Sequence, residues 1–192
     1  MRDSFLSYLS IARNVLMEPV GFFRRMSITE GIRQATYFAL LINVLKSLIF
    51  FLGSYNQGYF FSPRFQAIPP VSVAAFFMIS LIPFLLLLIM YSQSIFLYRI
   101  SNFFGGIANL EGAYKIIAFV LFLSIFQFVP VVNAFTHIYA IIILIIGVRE
   151  VFNIDWISST LSLFFSFVFT AFLYVLLIFV PAFMLKFIVF HM

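Results

Sequence analysis

Five runs of apolar residues, each long enough to cross a bilayer, dominate the chain. A span needs about 20 such residues to cover roughly 30 Å of hydrocarbon. It must be helical so that its backbone polar groups are satisfied internally. The runs lie at about 28–53, 70–98, 110–129, 131–149 and 158–181. They predict an all-α membrane protein: a bundle of about five transmembrane helices behind an N-terminal amphipathic interfacial helix. Residues 1–27 form the interfacial segment and 28–192 the transmembrane domain. Only 9% of residues are charged, against roughly 25% in a soluble domain, too few to coat a globule of this size.

Local signals mark the ends of the spans. Ser27 and Glu30 have the spacing of a capping box before the first. Pro69 and Pro70 precede the second, and Pro83 is expected to kink it midway. Asn109 is a candidate N-cap for the third, and Pro130 ends it and starts the fourth as a tight hairpin. Asp155 is a candidate cap for the fifth. The tail from Ala182 either extends that helix or lies in the interface.

The basic residues are one-sided. Arg2, Arg13, Arg24, Arg25, Arg33, Arg99, Lys115 and Arg149 fall on one side of this threading, and only Arg64 and Lys186 on the other. The positive-inside rule then predicts a cytoplasmic N-terminus and an outer C-terminus. The net charge of +5 is thereby explained by topology, and no nucleic-acid partner is expected. Anionic lipids on the cytoplasmic face are, at about 1 kcal/mol per basic residue near the surface.

Phe5, Leu9, Ala12 and Leu16 recur at helical spacing and predict an amphipathic helix on the cytoplasmic leaflet, either as an anchor over the bundle or as a docking element. A cleavable signal peptide is not expected, since the first residues lack its basic, apolar, small-residue order.

The segment 101–112 breaks the apolar pattern with Gly105, Gly106, Asn109 and Glu111. Adjacent glycines suit a turn, Asn109 a cap, and Glu111 the positive end of the following helix. Lys46 is the one basic residue inside a span, where insertion costs about 2.5–3.5 kcal/mol at the centre. Asn43 is a turn away, and Gln127, Asn133 and His137 have a matching depth on other spans. Two readings stand: these five converge in an outer-half polar cluster, or Lys46 snorkels and the others make interhelical hydrogen bonds. Ser158, Ser162, Ser166 and Thr170 recur every four residues. Such a small, weakly polar stripe suits close helix packing, a dimer seam or a groove lining.

The stretch from Gly105 to Phe122, Pro130, and the helix ending Gly147-x-x-Glu150 together resemble the core of the Yip family of Ypt/Rab-interacting membrane proteins, in its short prokaryotic form. The shared pattern is a double glycine (Gly105, Gly106), a tyrosine-bearing helix (Tyr114), a proline turn (Pro130) and a terminal Gly-x-x-Glu (Gly147, Glu150). The resemblance covers most of the chain. It implies five spans with a cytoplasmic N-terminus, in a prokaryotic plasma (inner) membrane. In eukaryotic members it implies binding of Rab-type GTPases. This chain lacks their long N-terminal region and the Asp-Leu-Tyr-Gly-Pro motif near its end, so a Rab-type partner is not expected.

No enzymatic activity and no cofactor is expected. Cysteine is absent, and His137 and His191 are the only histidines, so thiolate or histidine metal sites have no ligand set. Neither a phosphate-binding loop nor a Gly-x-Ser-x-Gly nucleophile turn occurs. The expected function is a membrane-organising scaffold or adaptor that binds other membrane proteins, lipids or itself. The alternative is a small-solute, ion or lipid transporter using the polar cluster.

Overall fold

The computed structural model describes residues 2–26, 31–56 and 80–191. Among them every regular element is helical: α1 (Arg2–Met17), α2 (Pro19–Arg25), α3 (Arg33–Asn56), α4 (Ile82–Phe103), α5 (Leu110–Val120), a 3-10 helix (Leu121–Phe128), α6 (Pro130–Phe152) and α7 (Trp156–His191). Five helical segments are long and apolar enough to cross a membrane: Arg33–Leu52, Ile82–Phe103, Leu110–Phe128, Val132–Phe152 and Trp156–Leu176. The chain is a multi-pass α-helical membrane bundle.

The expected Ser27–Glu30 box and the start of the second span at Pro70 lie outside the described residues. Pro83 is in the first turn of α4, just after a π-helical turn at Ser80 and Leu81. The expected kink midway along the second span turns on the residues before Ser80 and so lies outside the described residues. α4 also runs to Phe103, past the expected end at 98.

The third span is the axle of the bundle. Every residue from Gly112 to Val120 is buried, because α5 packs against α1, α3, α4 and α6 together. Apart from Lys115 the segment is apolar all round, the pattern that full enclosure requires. Phe38 of α3 meets Phe119 and Phe122 edge-on, with ring centroids 5.7 and 6.5 Å apart.

This span does not finish as an α-helix. The Ser124 hydroxyl bonds the Leu121 carbonyl at 2.6 Å, and Pro130 holds Val129 extended (φ −101°, ψ 106°). Between these constraints eight residues wind as a 3-10 helix. At about 1.5 Å per α residue and 2.0 Å per 3-10 residue the span is about 32 Å long, where an all-α segment would be about 28 Å. The tighter winding brings a short segment to the thickness of the hydrocarbon layer.

Two turns join the remaining elements at the Glu150 end. α6 stops at Asn153, in the left-handed region (φ 55°, ψ 46°) that Asn tolerates. Asp155 then caps α7: its Oδ2 accepts from Ile157 N at 3.0 Å and Ser158 N at 3.2 Å.

α1 and α2 form a short hairpin against α5 and α6. Val15 is fully buried, Ile11, Ala12 and Leu16 pack against the core, and Tyr8 meets Phe38 at 5.8 Å. Of the expected apolar stripe, Ala12 and Leu16 pack on the core while Leu9 is 53% exposed on the bundle surface. The buried face is the one through Tyr8, Ile11 and Val15. The Leu16 carbonyl accepts from the Tyr139 hydroxyl, about 20 Å along α6 from its Phe152 end. The hairpin therefore leans deep into the bundle. α2 returns beside α6, with Phe23 buried.

Candidate functional site

The four residues of the glycine break, Gly105, Gly106, Asn109 and Glu111, lie at the Glu150 end together with Gly147, and the glycines and Asn109 act as joints. Gly105 has φ +87°. Its N–H bonds Asn102 O at 3.0 Å, and Gly106 N–H bonds Ser101 O at 2.9 Å. This closes α4 with the paired backbone bonds of a left-handed glycine cap. A Cβ on Gly106 would stand 2.8 Å from both the Phe152 ring and Ser101 O. Ile107 N–H then donates to Phe152 O at 3.1 Å, pinning the loop to the end of α6. The Asn109 side chain accepts from Gly112 N at 2.9 Å, as a cap should. Gly147 lets three helices meet: a Cβ there would be 2.8 Å from Ile116 and 3.2 Å from the Phe23 ring.

Several charges at this end are paired. Glu150 takes Arg24 at 3.1 Å and Arg149 at 3.5 Å, and Arg149 lies over the Trp156 ring at 4.8 Å. Glu111 binds Lys115 at 2.7 Å. Lys115, expected beside the loop, is a 7% exposed side chain inside the bundle, and the i, i+4 carboxylate makes its burial tolerable. Asp155 is held below the usual carboxylate range, first by the Ser158 hydroxyl and then by the Ser158 amide. Against this fixed framework two apolar side chains project, Phe103 at 85% and Ile107 at 78% exposure.

The five residues expected to converge near the other end do not share one site. Lys46 and Gln127 line a cavity of about 190 Å³ with Ser47, Phe50, Ile82 and Leu86. His137 lines a second cavity, also about 190 Å³, that shares no lining residue with the first. α3 and α6 pack on different sides of the third span, so residues of similar depth face apart. Asn43 is fully buried with its amide nitrogen 4.0 Å from Met90 Sδ and no partner for Oδ1 among the described residues. Asn133 is the backbone neighbour of His137, whose Nδ1 lies 2.8 Å from Asn133 O.

The stripe on α7 faces α4 and the interior. Ser162, Ser166 and Thr170 are buried, while Ser158 is partly exposed and its neighbour Ser159 is buried in its place. Ser166 and Thr170 return their hydroxyls to Leu163 O and Ser166 O. Ser92 and Tyr174 share a hydrogen bond at 2.9 Å, and Phe96 stacks on Phe169 at 5.9 Å. The α7–α4 seam is therefore closely packed.

Sequence reading missed Gln93, a buried amide on α4 that lines the His137 cavity. The polar triplet Ser92-Gln93-Ser94 in the middle of an apolar run was the available signal. Among the described residues no three His, Cys, Asp or Glu side chains group as a metal site.

Together these features define a polytopic α-helical membrane protein with one ion-paired end and cavities within its spans. Comparison of the chain with family models, curated proteins and solved structures gives no match.

Proposed function

We propose that the protein is a non-enzymatic membrane-organising scaffold of the Yip type, with its Glu150 end in the cytoplasm and a prokaryotic plasma membrane as its site. The observation that carries this reading is the pairing of a fixed loop with exposed apolar side chains. Ile107 has its backbone held by Phe152 O, yet its side chain is 78% exposed. A rigid apolar projection at the end of the bundle that carries Arg149 and Glu150 suits capture of a neighbouring membrane protein at the interface, because little order is lost on contact. The arginine distribution supports the orientation, and the resemblance of the glycine, tyrosine and proline pattern supports the family.

A photocrosslinking residue at position 107 in intact membranes tests the proposal. The scaffold reading expects a discrete protein adduct, formed with a second copy or another membrane protein, and lost when Phe103 is changed to Ser. Lipid adducts alone would overturn it. A membrane-impermeant thiol reagent on a cysteine at position 107 should react only after the membrane is opened. A second reading, transport, draws on the Lys46–Gln127 cavity. It expects solute flux in proteoliposomes that Lys46→Leu alters.

A further inference from the structure

The His137 cavity lies between α4, the third span, α6 and α7, apart from the Glu150 end. Its walls are mostly apolar, including Ile117, Leu144 and Phe167, and no charged residue lines it. Its polar groups are few and their bonding is largely committed. The Ser124 and Thr136 hydroxyls already donate to Leu121 O and Val132 O. The His137 ring faces Asn133 O with Nδ1 at 2.8 Å. A carbonyl cannot donate, so Nδ1 carries a proton toward it, and in the corresponding tautomer Nε2 is an acceptor.

Gln93 is the exception. It is 9% exposed. Its neighbours Ser92 and Ser94 donate to Ile89 O and Met90 O. No hydrogen bond to the Gln93 side chain is seen among the described residues, and its amide atoms open onto the cavity instead of being sealed in the packing. An amide facing a mostly apolar cavity without partners is costly, and the cost is relieved when something that enters the cavity bonds to it.

We propose that this cavity binds an uncharged lipophilic alcohol drawn from the bilayer. One hydroxyl matches the available groups: its oxygen accepts from the Gln93 NH₂, and its proton goes to His137 Nε2 or the Gln93 carbonyl. A charged ligand would find no counter-ion in the walls. The cavity measures about 190 Å³. That is somewhat larger than the roughly 150 Å³ apolar cavity known to hold benzene, so it takes one ring or a short length of chain. Entry is from the lipid side, where His137 and Phe167 are both exposed.

The test uses the full-length protein in lipid nanodiscs and two diazirine probes of equal chain length, one a primary alcohol and the other the matching alkane. The alcohol is expected to label the Leu121–Ser124 and Phe167 regions about fivefold more than the alkane, the ratio that one net hydrogen bond gives. Gln93→Leu, close in volume, removes that preference and leaves alkane labelling in place. Leu144→Trp fills the cavity and reduces labelling by both probes. His137→Phe is a second variant that lowers the preference should Gln93→Leu not assemble. Equal labelling of the wild-type protein by the two probes, or an undiminished preference in Gln93→Leu, overturns the proposal.

Discussion

The Tyr139 hydroxyl donates to the Leu16 carbonyl across 2.5 Å, joining residues 123 positions apart and fixing the end of α1 against the middle of α6. Leu16 lies in the last turn of α1, where the carbonyls have run out of helical donors. Tyr139→Phe removes the donor and keeps the ring. We expect a loss of about 1 kcal/mol and faster exchange of the α1 amides, read by hydrogen exchange in detergent, with the amides of α5 unchanged.

Gly147→Val places carbon atoms where Ile116 and Phe23 already lie. Overpacking of this kind costs about 1–3 kcal/mol. The thermal unfolding midpoint should fall, and α2 should lose protection first, because Phe23 can withdraw more easily than a residue of the central helix.

Glu150 is nearly buried and shared by two arginines, one of them exposed. Glu150→Gln keeps the shape and removes the charge. It should destabilise by about 1 kcal/mol, more than the usual exposed pair, because Arg149 loses one of its two partners. The difference between the two proteins should shrink in high salt, which unfolding measured at 0.05 and 1 M NaCl would show.

Asp155 predicts a pH dependence. Its folded value lies below the ordinary carboxylate value because Ser158 bonds the charged form. Its contribution is therefore complete above the unfolded value of about 3.9 and disappears as pH falls through the folded value. Asp155→Ala should lower the melting temperature at pH 7, and the two melting curves should converge on acidification below pH of about 4. Asp155→Asn keeps a capping oxygen and should show a flatter pH profile.

Ser162→Leu or Ser166→Leu enlarges a fully buried side chain in the α7–α4 seam. Each should cost about 1–3 kcal/mol and reduce the monodisperse fraction on size-exclusion chromatography. Phe172→Leu, on the exposed face of the same helix, should leave that fraction unchanged.

The crossings were legible because lipid imposes a length and an apolar composition that few other environments demand. Depth was legible too: Lys46 and Gln127 do share a level and a cavity. Azimuth was not. His137 has a matching depth, yet α6 turns it toward α4 and α7, and nothing in its own helix announces which neighbour it will meet. For α1 the inward face could not be chosen from spacing alone. Leu9 and Val15 belong to faces that overlap in sequence, and only contact with Phe38 and the axle selects the second. The 3-10 segment was hidden for a different reason. Leu121 to Phe128 is as apolar as any α-helical run, and its winding is set by Ser124 and by Pro130 just beyond. Lys115 carried its clue four residues away, in Glu111.

The enclosure of α5 bears on how the chain is built. Synthesis proceeds from the N-terminus, so this helix leaves the ribosome before α6, one of its walls, exists. During that interval one flank meets lipid, and Glu111 already sits a turn from Lys115 to neutralise it. Once α6 arrives, the segment from Gly112 to Val120 is buried, and the bilayer can meet it only through the cavity that Ile117 lines. Changes in lipid composition then act on that segment through this one opening or through the helices around it.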